Sequence, residues 1–184
     1  MKRFLETIVS SAKNLKSVTT ITISAMMTAI ITVLSFFTLK PVEFLKITFG
    51  FIPISIVGAL YGPVVGGMVG VAADVIGYAI NPTGPYFIGF TISGFLSGFI
   101  YGMFLYKQRI TLVRVLLAKL TISLFVQIGL NSVWLKILFG TPIIAMLPTR
   151  LLKNAILLPI EVAIMFAVLK SLDKLLKQGR VRAE

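Results

Sequence analysis

Long apolar runs with few or no charges, separated by short polar connections, organise this chain. Such runs fall at about 19–39, 47–80 (uncharged as far as Ala73), 86–106, 115–139 and 148–172. All approach or exceed the roughly 20 residues that a helix needs to cross a bilayer. The first run ends before Lys40-Pro41, because proline disfavours helix in the residue ahead of it. Gly62-Pro63 interrupts the second, and the pair either kinks one helix or separates two. A further break stands at "INPTGPYFIGFT", residues 80–91, where Pro82, Gly84 and Pro85 forbid a continuous helix.

Of the 184 residues, 57% are apolar and 13% charged, and mean hydropathy is +0.99. That is too apolar for an ordinary water-soluble domain. The expected class is an all-α integral membrane protein, since the helix-favouring runs lack the alternation of a membrane barrel. No polar stretch is long enough to fold separately, so the chain reads as a single membrane domain: an N-terminal segment 1–18, a bundle 19–172 and a basic tail 173–184. Lys2 and Arg3 resemble the start of a signal peptide, but the first apolar run begins too late and lacks a convincing cleavage site. Cysteine and histidine are both absent, which removes disulfides, thiolate chemistry and the usual metal and proton-shuttle ligands. No catalytic residue and no metal site are expected.

The net charge of +12 is explained by topology. With a turn at Gly62-Pro63 there are six spans, and both termini fall on the cytoplasmic side. The inside then holds Lys2, Arg3, Lys13, Lys16, Lys107, Arg109, Arg114, Lys119, Lys170, Lys174, Lys177, Arg180 and Arg182. Only Lys40, Lys46, Lys136, Arg150 and Lys153 remain outside. This follows the positive-inside bias, whereas a five-span arrangement would move a terminal basic cluster across the membrane. Contact with anionic lipid accounts for the rest, so no nucleic acid is implied. The second span, 51–61, is short and must tilt, thin the bilayer or be shielded by its neighbours.

Small residues recur every four positions at Gly66 and Gly70, at Gly94, Gly98 and Gly102, and at Ala25 and Ala29. This spacing lets helix backbones approach closely, either within the bundle or against another membrane subunit. An ionised group inside a span costs about 2.5–3.5 kcal/mol on insertion scales, so Asp74 and Glu161 require partners or a wet cavity. Asp74 lies about two turns below the outer break. It suits the donor edge of a planar heterocycle such as an aminopyrimidinone, and equally a structural hydroxyl or lysine partner. For Glu161 a structural or interfacial role is expected.

In "NSVWLK", Asn131 and Trp134 are three apart and share a helix face, so an amide and an indole can meet one ligand; a tryptophan here also suits the aromatic belt. In "LPTRLLKN", Pro148 suits the first position of the sixth span, which sets Arg150, Lys153 and Asn154 on one face of its first turns. Cations at a helix N-terminus oppose the macrodipole, and a bound anion would resolve the conflict, as would lipid phosphate.

The stretch 51–102, together with "NSVWLKILFG" and "LPTRLLKN", resembles the substrate-binding S component of energy-coupling factor vitamin transporters, most closely the folate-type members. The resemblance covers roughly 25–159. It implies a bacterial cytoplasmic-membrane protein with six helices and extracytoplasmic loops that cap a vitamin pocket. It also implies a transmembrane coupling subunit and two ATPase subunits as partners, with Ala25 and Ala29 matching the alanine pair that meets the coupling subunit. The chain itself lacks a "GxxxxGK[ST]" phosphate loop, so no cofactor is expected in it, and ATP is used by the partners. Folate joins a flat pterin to an aromatic linker and a glutamate with two carboxylates. By the resemblance, Asp74 or Asn131 meets the pterin edge. Phe44, Tyr86, Phe87, Phe90 or Trp134 stacks, and Lys40, Lys46, Arg150 or Lys153 sits near the carboxylates. Three alternatives stay open: another flat heterocycle (a queuosine precursor, riboflavin or a folate breakdown product), a solitary small permease or structural subunit, and a membrane enzyme. The last would need clustered acids, whereas Asp74 and Glu161 lie at different depths.

Overall fold

A computed structural model describes the backbone of residues 2–36, 39–42, 45–82, 84–140 and 143–181, and the side chains of 5–36, 48–82, 84–140 and 147–176. In chain order the elements are α1 (Lys2–Asn14), α2 (Val18–Phe36), β1 (Leu39–Val42), β2 (Leu45–Ile47), α3 (Phe51–Tyr61), α4 (Pro63–Ile80), α5 (Ile88–Leu105), α6 (Leu112–Thr121), a π segment (Ile122–Leu130), α7 (Asn131–Phe139) and α8 (Ile143–Val181). Among the described residues, five helical stretches are long and apolar enough to cross a membrane: Val18–Phe36, Pro63–Ile80, Ile88–Leu105, Leu112–Phe139 and Leu147–Leu176. Large aliphatic and aromatic side chains line their outer surface, among them Val18, Phe125 and Ile137, all more than half exposed. In water such a surface would drive aggregation; in hydrocarbon it is the solvated face.

The helical class holds, with one short addition and several shifted boundaries. Hydropathy carries the first span to Leu39, but α2 stops at Phe36, and Leu39 instead pairs with Ile47 in an antiparallel β1–β2 ladder. α5 begins at Ile88, so Tyr86 and Phe87 belong to the connection. α8 begins at Ile143, which puts Pro148 in the helix interior rather than at its first position. Arg150, Lys153 and Asn154 therefore do not face a free helix N-terminus, and the macrodipole argument for an anion at that point falls.

Gly62-Pro63 is a turn between two helices. In one continuous helix Gly58 and Gly66 would be separated by about 12 Å of rise, yet a Cβ on Gly66 would lie 3.2 Å from the Gly58 Cα. The reversal needs Gly62 at φ 92°, in the left-handed region, followed by proline at the first position of α4. A residue from outside the hairpin completes it. Ser11 on α1 donates its hydroxyl to the Tyr61 carbonyl at 2.8 Å and accepts the amides of Val64 at 3.0 Å and Val65 at 3.4 Å. One side chain thus closes the end of α3 and the start of α4, whose terminal groups have no partner within their own helices.

α4 and α5 form the most extensive helix pair. A Cβ on Gly70 would overlap the Gly94 carbonyl, and one on Gly98 the Gly66 carbonyl. The four-residue glycine spacing therefore serves packing within the bundle. A core of Phe51, Ile54, Tyr101, Leu105, Val115, Ala118, Ile122, Val126, Val162, Met165 and Leu169 fills the space between α3, α5, α6, the π segment and α8.

Gly70→Ala and Gly98→Ala should each destabilise the purified protein by about 1–3 kcal/mol, read as a lowered midpoint of thermal unfolding, because the added methyl has nowhere to go. Gly77, which also lies in α4, has open space where a Cβ would stand, with nothing within 4 Å; Gly77→Ala should be neutral or stabilising by up to about 1 kcal/mol.

Candidate functional site

α4 is about 27 Å long by its 18 residues, close to the hydrocarbon thickness of a bilayer. Its start is held by Ser11, and its other end opens into a cavity of about 450 Å³. Ser35 at the end of α2, Asp74, Tyr78 and Asn81 of α4, Pro85, Tyr86 and Phe87 of the connection, Phe90 of α5, and Leu138 and Phe139 of α7 are among its lining residues. The "INPTGPYFIGFT" break thus contributes a wall of this cavity. Gly84 at φ 123° lets the connection turn, and the Tyr78 hydroxyl donates to its carbonyl at 2.9 Å.

Asp74 has a local partner and also faces this space. The Thr91 hydroxyl donates to Asp74 Oδ2 at 2.6 Å, and Tyr86 Oη lies 2.7 Å from the same Thr91 oxygen. Thr91 spends its single proton on the carboxylate, so Tyr86 is the donor to Thr91. The resulting Tyr86–Thr91–Asp74 chain links the connection, α5 and α4, and fixes the carboxylate in the cavity wall.

A second cavity, of about 380 Å³, is lined by Thr48, Gln127, Asn131, Thr149, Arg150, Lys153, Asn154, Leu157 and Glu161. Its cations come from α8, where Arg150 and Lys153 fall within one turn of each other. The Arg150 Nη1 donates to the Gln127 carbonyl at 2.8 Å, and the Asn154 amide donates to the Arg150 carbonyl at 2.9 Å. Gln127 lies in the π segment, a rare, wide helical form that is frequent at functional sites.

A chain of side-chain contacts runs from Asn131 of the second cavity to Phe87 of the first. Ser93 on α5 donates to Asn131 Oδ1 at 2.7 Å and accepts Trp134 Nε1–H at 3.1 Å. Asn131 and Trp134 therefore share a face, as their spacing predicts, and meet through Ser93. The Trp134 ring lies 5.7 Å from Phe87, which packs edge-on to Phe90 at 6.0 Å. Gly89 has no side chain to occupy this space: a Cβ there would lie 2.7 Å from the Trp134 ring. The expected site residues thus divide: Asp74, Tyr86, Phe87 and Phe90 line the first cavity, Asn131, Arg150, Lys153 and Asn154 the second, and Trp134 lines neither but touches Phe87 of the first and Ser93, which bonds Asn131 of the second. Phe44 and the side chains of Lys40 and Lys46 lie outside the described residues. Ala25 and Ala29 line a separate, almost wholly apolar groove between α2 and α4, with Thr28, Thr32, Ala72 and Ile76.

Four participants were not anticipated from sequence: Thr91, Ser93, Gln127 and Lys119. Thr91 and Ser93 are common hydroxyl residues in apolar runs, and no spacing rule separates a site hydroxyl from one bonded within its own helix, as Thr28 and Thr32 are; Gln127 takes part through its backbone carbonyl, which no side-chain pattern marks. Lys119 corrects the assignment of charges. Counted with the inner loops, it is 1% exposed and paired with Glu161 at 2.7 Å, its ammonium 4.8 Å from the centre of the Phe51 ring. A lysine near a span end is expected to snorkel outward. Because α6 begins at Leu112, earlier than expected, Lys119 lies two turns inside it and is held in the bundle. Glu161, for which a structural role was expected, has that role and also borders the second cavity.

A carboxylate set among aromatic rings, near a cationic polar cavity in a helical membrane bundle, has the chemistry to accept a flat, partly anionic molecule. The sequence matches the family described as ECF transporter, substrate-specific component, over residues 19–169, and the chain belongs to that family. It is a multi-pass membrane protein, a transport subunit and not an enzyme. Among its relatives, the folate transporter FolT of Clostridium novyi (strain NT) is 41% identical over 131 residues, covering 71% of this chain and 76% of that one. The folate transporter FolT of Leuconostoc mesenteroides is 33% identical over 153 residues, covering 80% and 82% respectively. A crystal structure of FolT bound with folic acid superposes with a TM-score of 0.75 at 37% identity, covering 82% of this chain and 92% of that one.

Lys119→Met should destabilise the protein by about 3–5 kcal/mol, because Glu161 is left as an unpaired buried charge. The double variant Lys119→Met/Glu161→Leu should recover most of that loss in a thermal-unfolding assay.

Proposed function

We propose that this chain is the folate-capturing subunit of an energy-coupling factor importer in a bacterial cytoplasmic membrane. It takes folate from the extracytoplasmic side and delivers it through a transmembrane coupling subunit driven by two ATPase subunits. ATP is used by those subunits, and this chain carries no cofactor. One observation carries the reading: a chain of contacts, Phe87–Trp134–Ser93–Asn131, runs from the lining of an aromatic, carboxylate-bearing cavity to the lining of a cationic one. In this arrangement the pterin lies between the aromatic side chains of the first cavity, with its amino and ring N–H donors toward Asp74. The aminobenzoyl group passes Trp134, and the glutamate carboxylates reach Arg150 and Lys153. Glu161 does not repel them strongly, since Lys119 compensates its charge. The similarity to the two folate transporters and to the folic-acid complex supports the same ligand.

The reading takes α3 as a sixth, short crossing. With α4 it forms a hairpin, and the two termini then share the cytoplasmic side with α1. The site end, at Asn81 and Phe139, faces outward. Ala25 and Ala29, in their apolar groove, are the docking face for the coupling subunit.

Titration of the purified protein with folate, followed by calorimetry, tests the ligand. Tight folate binding with weak riboflavin and deazaguanine binding is expected; the reverse order would overturn the choice. Asp74→Asn should weaken folate on the order of 10- to 100-fold, by loss of charge-assisted hydrogen bonds. Arg150→Gln should weaken folate but leave pteroate, which lacks the glutamate, nearly unchanged. Equal loss for both would contradict the placement of the carboxylates. In liposomes, the chain without its partners should give no sustained folate uptake.

A further inference from the structure

Helix α1 is amphipathic but mounted with its polar side inward. Ser10, Ser11 and Asn14 face the bundle. Ser11 bonds across the α3–α4 turn, Asn14 Nδ2 donates to the Tyr61 carbonyl and to Tyr106 Oη, each at 3.1 Å, and Ser10 Oγ lies 3.1 Å from the same phenol. The opposite arc carries Leu5 and Val9, one turn apart and 56% and 53% exposed, with exposed Ala12 following. Removing aliphatic surface from water is favourable, so a helix that binds its protein through Ser10, Ser11 and Asn14 and shows its aliphatic side chains to the outside is matched to a non-aqueous neighbour.

That neighbour is identified by continuity and charge. The aliphatic strip runs on through Leu15 to Val18 and Ile21, 78% and 55% exposed on α2, a face whose surroundings in a membrane are acyl chains. Exposed Lys13 and Lys16 flank the strip, and Lys107 and Arg109 are exposed at the same end of the bundle, where Lys107 Nζ donates to Ser10 at 2.7 Å. An apolar strip edged by cations fits the headgroup–acyl boundary of an anionic leaflet. Among the described residues the strip carries aliphatic side chains and no aromatic or arginine anchor, which makes a poor protein-binding hot spot by comparison.

We propose that α1 is an interfacial helix, with Leu5 and Val9 inserted among the upper acyl chains and Lys13 and Lys16 directed at lipid phosphates. Through Ser11 and Asn14 it ties the α3–α4 turn to that membrane surface. The inference is independent of the ligand assigned above.

The chain contains no cysteine, so single nitroxide labels introduced by Leu5→Cys, Val9→Cys, Glu6→Cys and Ile21→Cys report unambiguously. The full chain is reconstituted in vesicles of phosphatidylethanolamine and phosphatidylglycerol, and label accessibility to oxygen and to a water-soluble nickel chelate is measured. Labels at positions 5 and 9 should resemble the one at 21, open to oxygen and several-fold less open to nickel than the one at 6. Nickel accessibility at 5 and 9 equal to that at 6 would place the strip in water and overturn the proposal. Protection from both reagents would overturn it too, by showing that protein, such as a second copy, covers the strip.

Discussion

The backbone-to-backbone approach of α4 and α5 is the constraint on which the site depends. Lipid tails are as apolar as leucine, so burial of aliphatic surface does little to hold two helices together in a bilayer; close van der Waals contact must do more. Gly66 against Gly98 and Gly70 against Gly94 remove the side chains that would keep these helices apart. One turn beyond Gly70, the same contact brings Asp74 to Thr91, and a Cβ on Gly94 would lie only 3.7 Å from the Asp74 Cβ. The acid in the cavity wall is thus placed by glycines that carry no chemistry.

Charge inside the bundle is handled in two ways. Lys119 and Glu161 neutralise one another at 2.7 Å, almost out of contact with solvent, so their joint insertion costs far less than either alone. Arg150 and Lys153 instead border a polar cavity, where Gln127, Asn131 and Asn154 supply further hydrogen-bonding groups. The π segment is part of this solution, since it carries Gln127, whose carbonyl accepts from Arg150. Glu161 touches both arrangements, which couples the stability of the α6–α8 packing to the floor of the candidate ligand cavity.

Much of the architecture was legible in the chain because hydrocarbon imposes strong rules: backbone groups must be paired within the helix and side chains facing lipid must be apolar, so helical spans appear as long apolar runs with few charges. The boundaries of α4, at Pro63 and Ile80, follow from proline and from the Asn81-Pro82 break. The ambiguous pair Gly62-Pro63 was narrowed to a turn by counting cations. The same count misplaced Lys119, because a tally by loop cannot distinguish a lysine that snorkels to the surface from one that has met a carboxylate 42 positions later in the chain. Pro148 misled in a similar way: proline is tolerated at a helix start, but it is also accommodated within membrane helices, where neighbouring groups satisfy the freed carbonyls.

The sequence by itself determined that this is a helical membrane protein without cysteine or histidine chemistry, and it marked Asp74, the Tyr86-Phe87 pair, Trp134 and Arg150 as residues needing explanation. Those features are local, set by hydropathy, charge and helical spacing. Only the tertiary structure decided that the candidate residues divide between two cavities, with Ser93 and Trp134 linking Asn131 of one to Phe87 of the other. It also showed that Lys119 belongs to Glu161 and that α1 presents its serines inward and its aliphatic side chains outward. These are pairings between elements distant in the chain, and their geometry depends on how closely the helices approach, which no periodicity within one helix encodes.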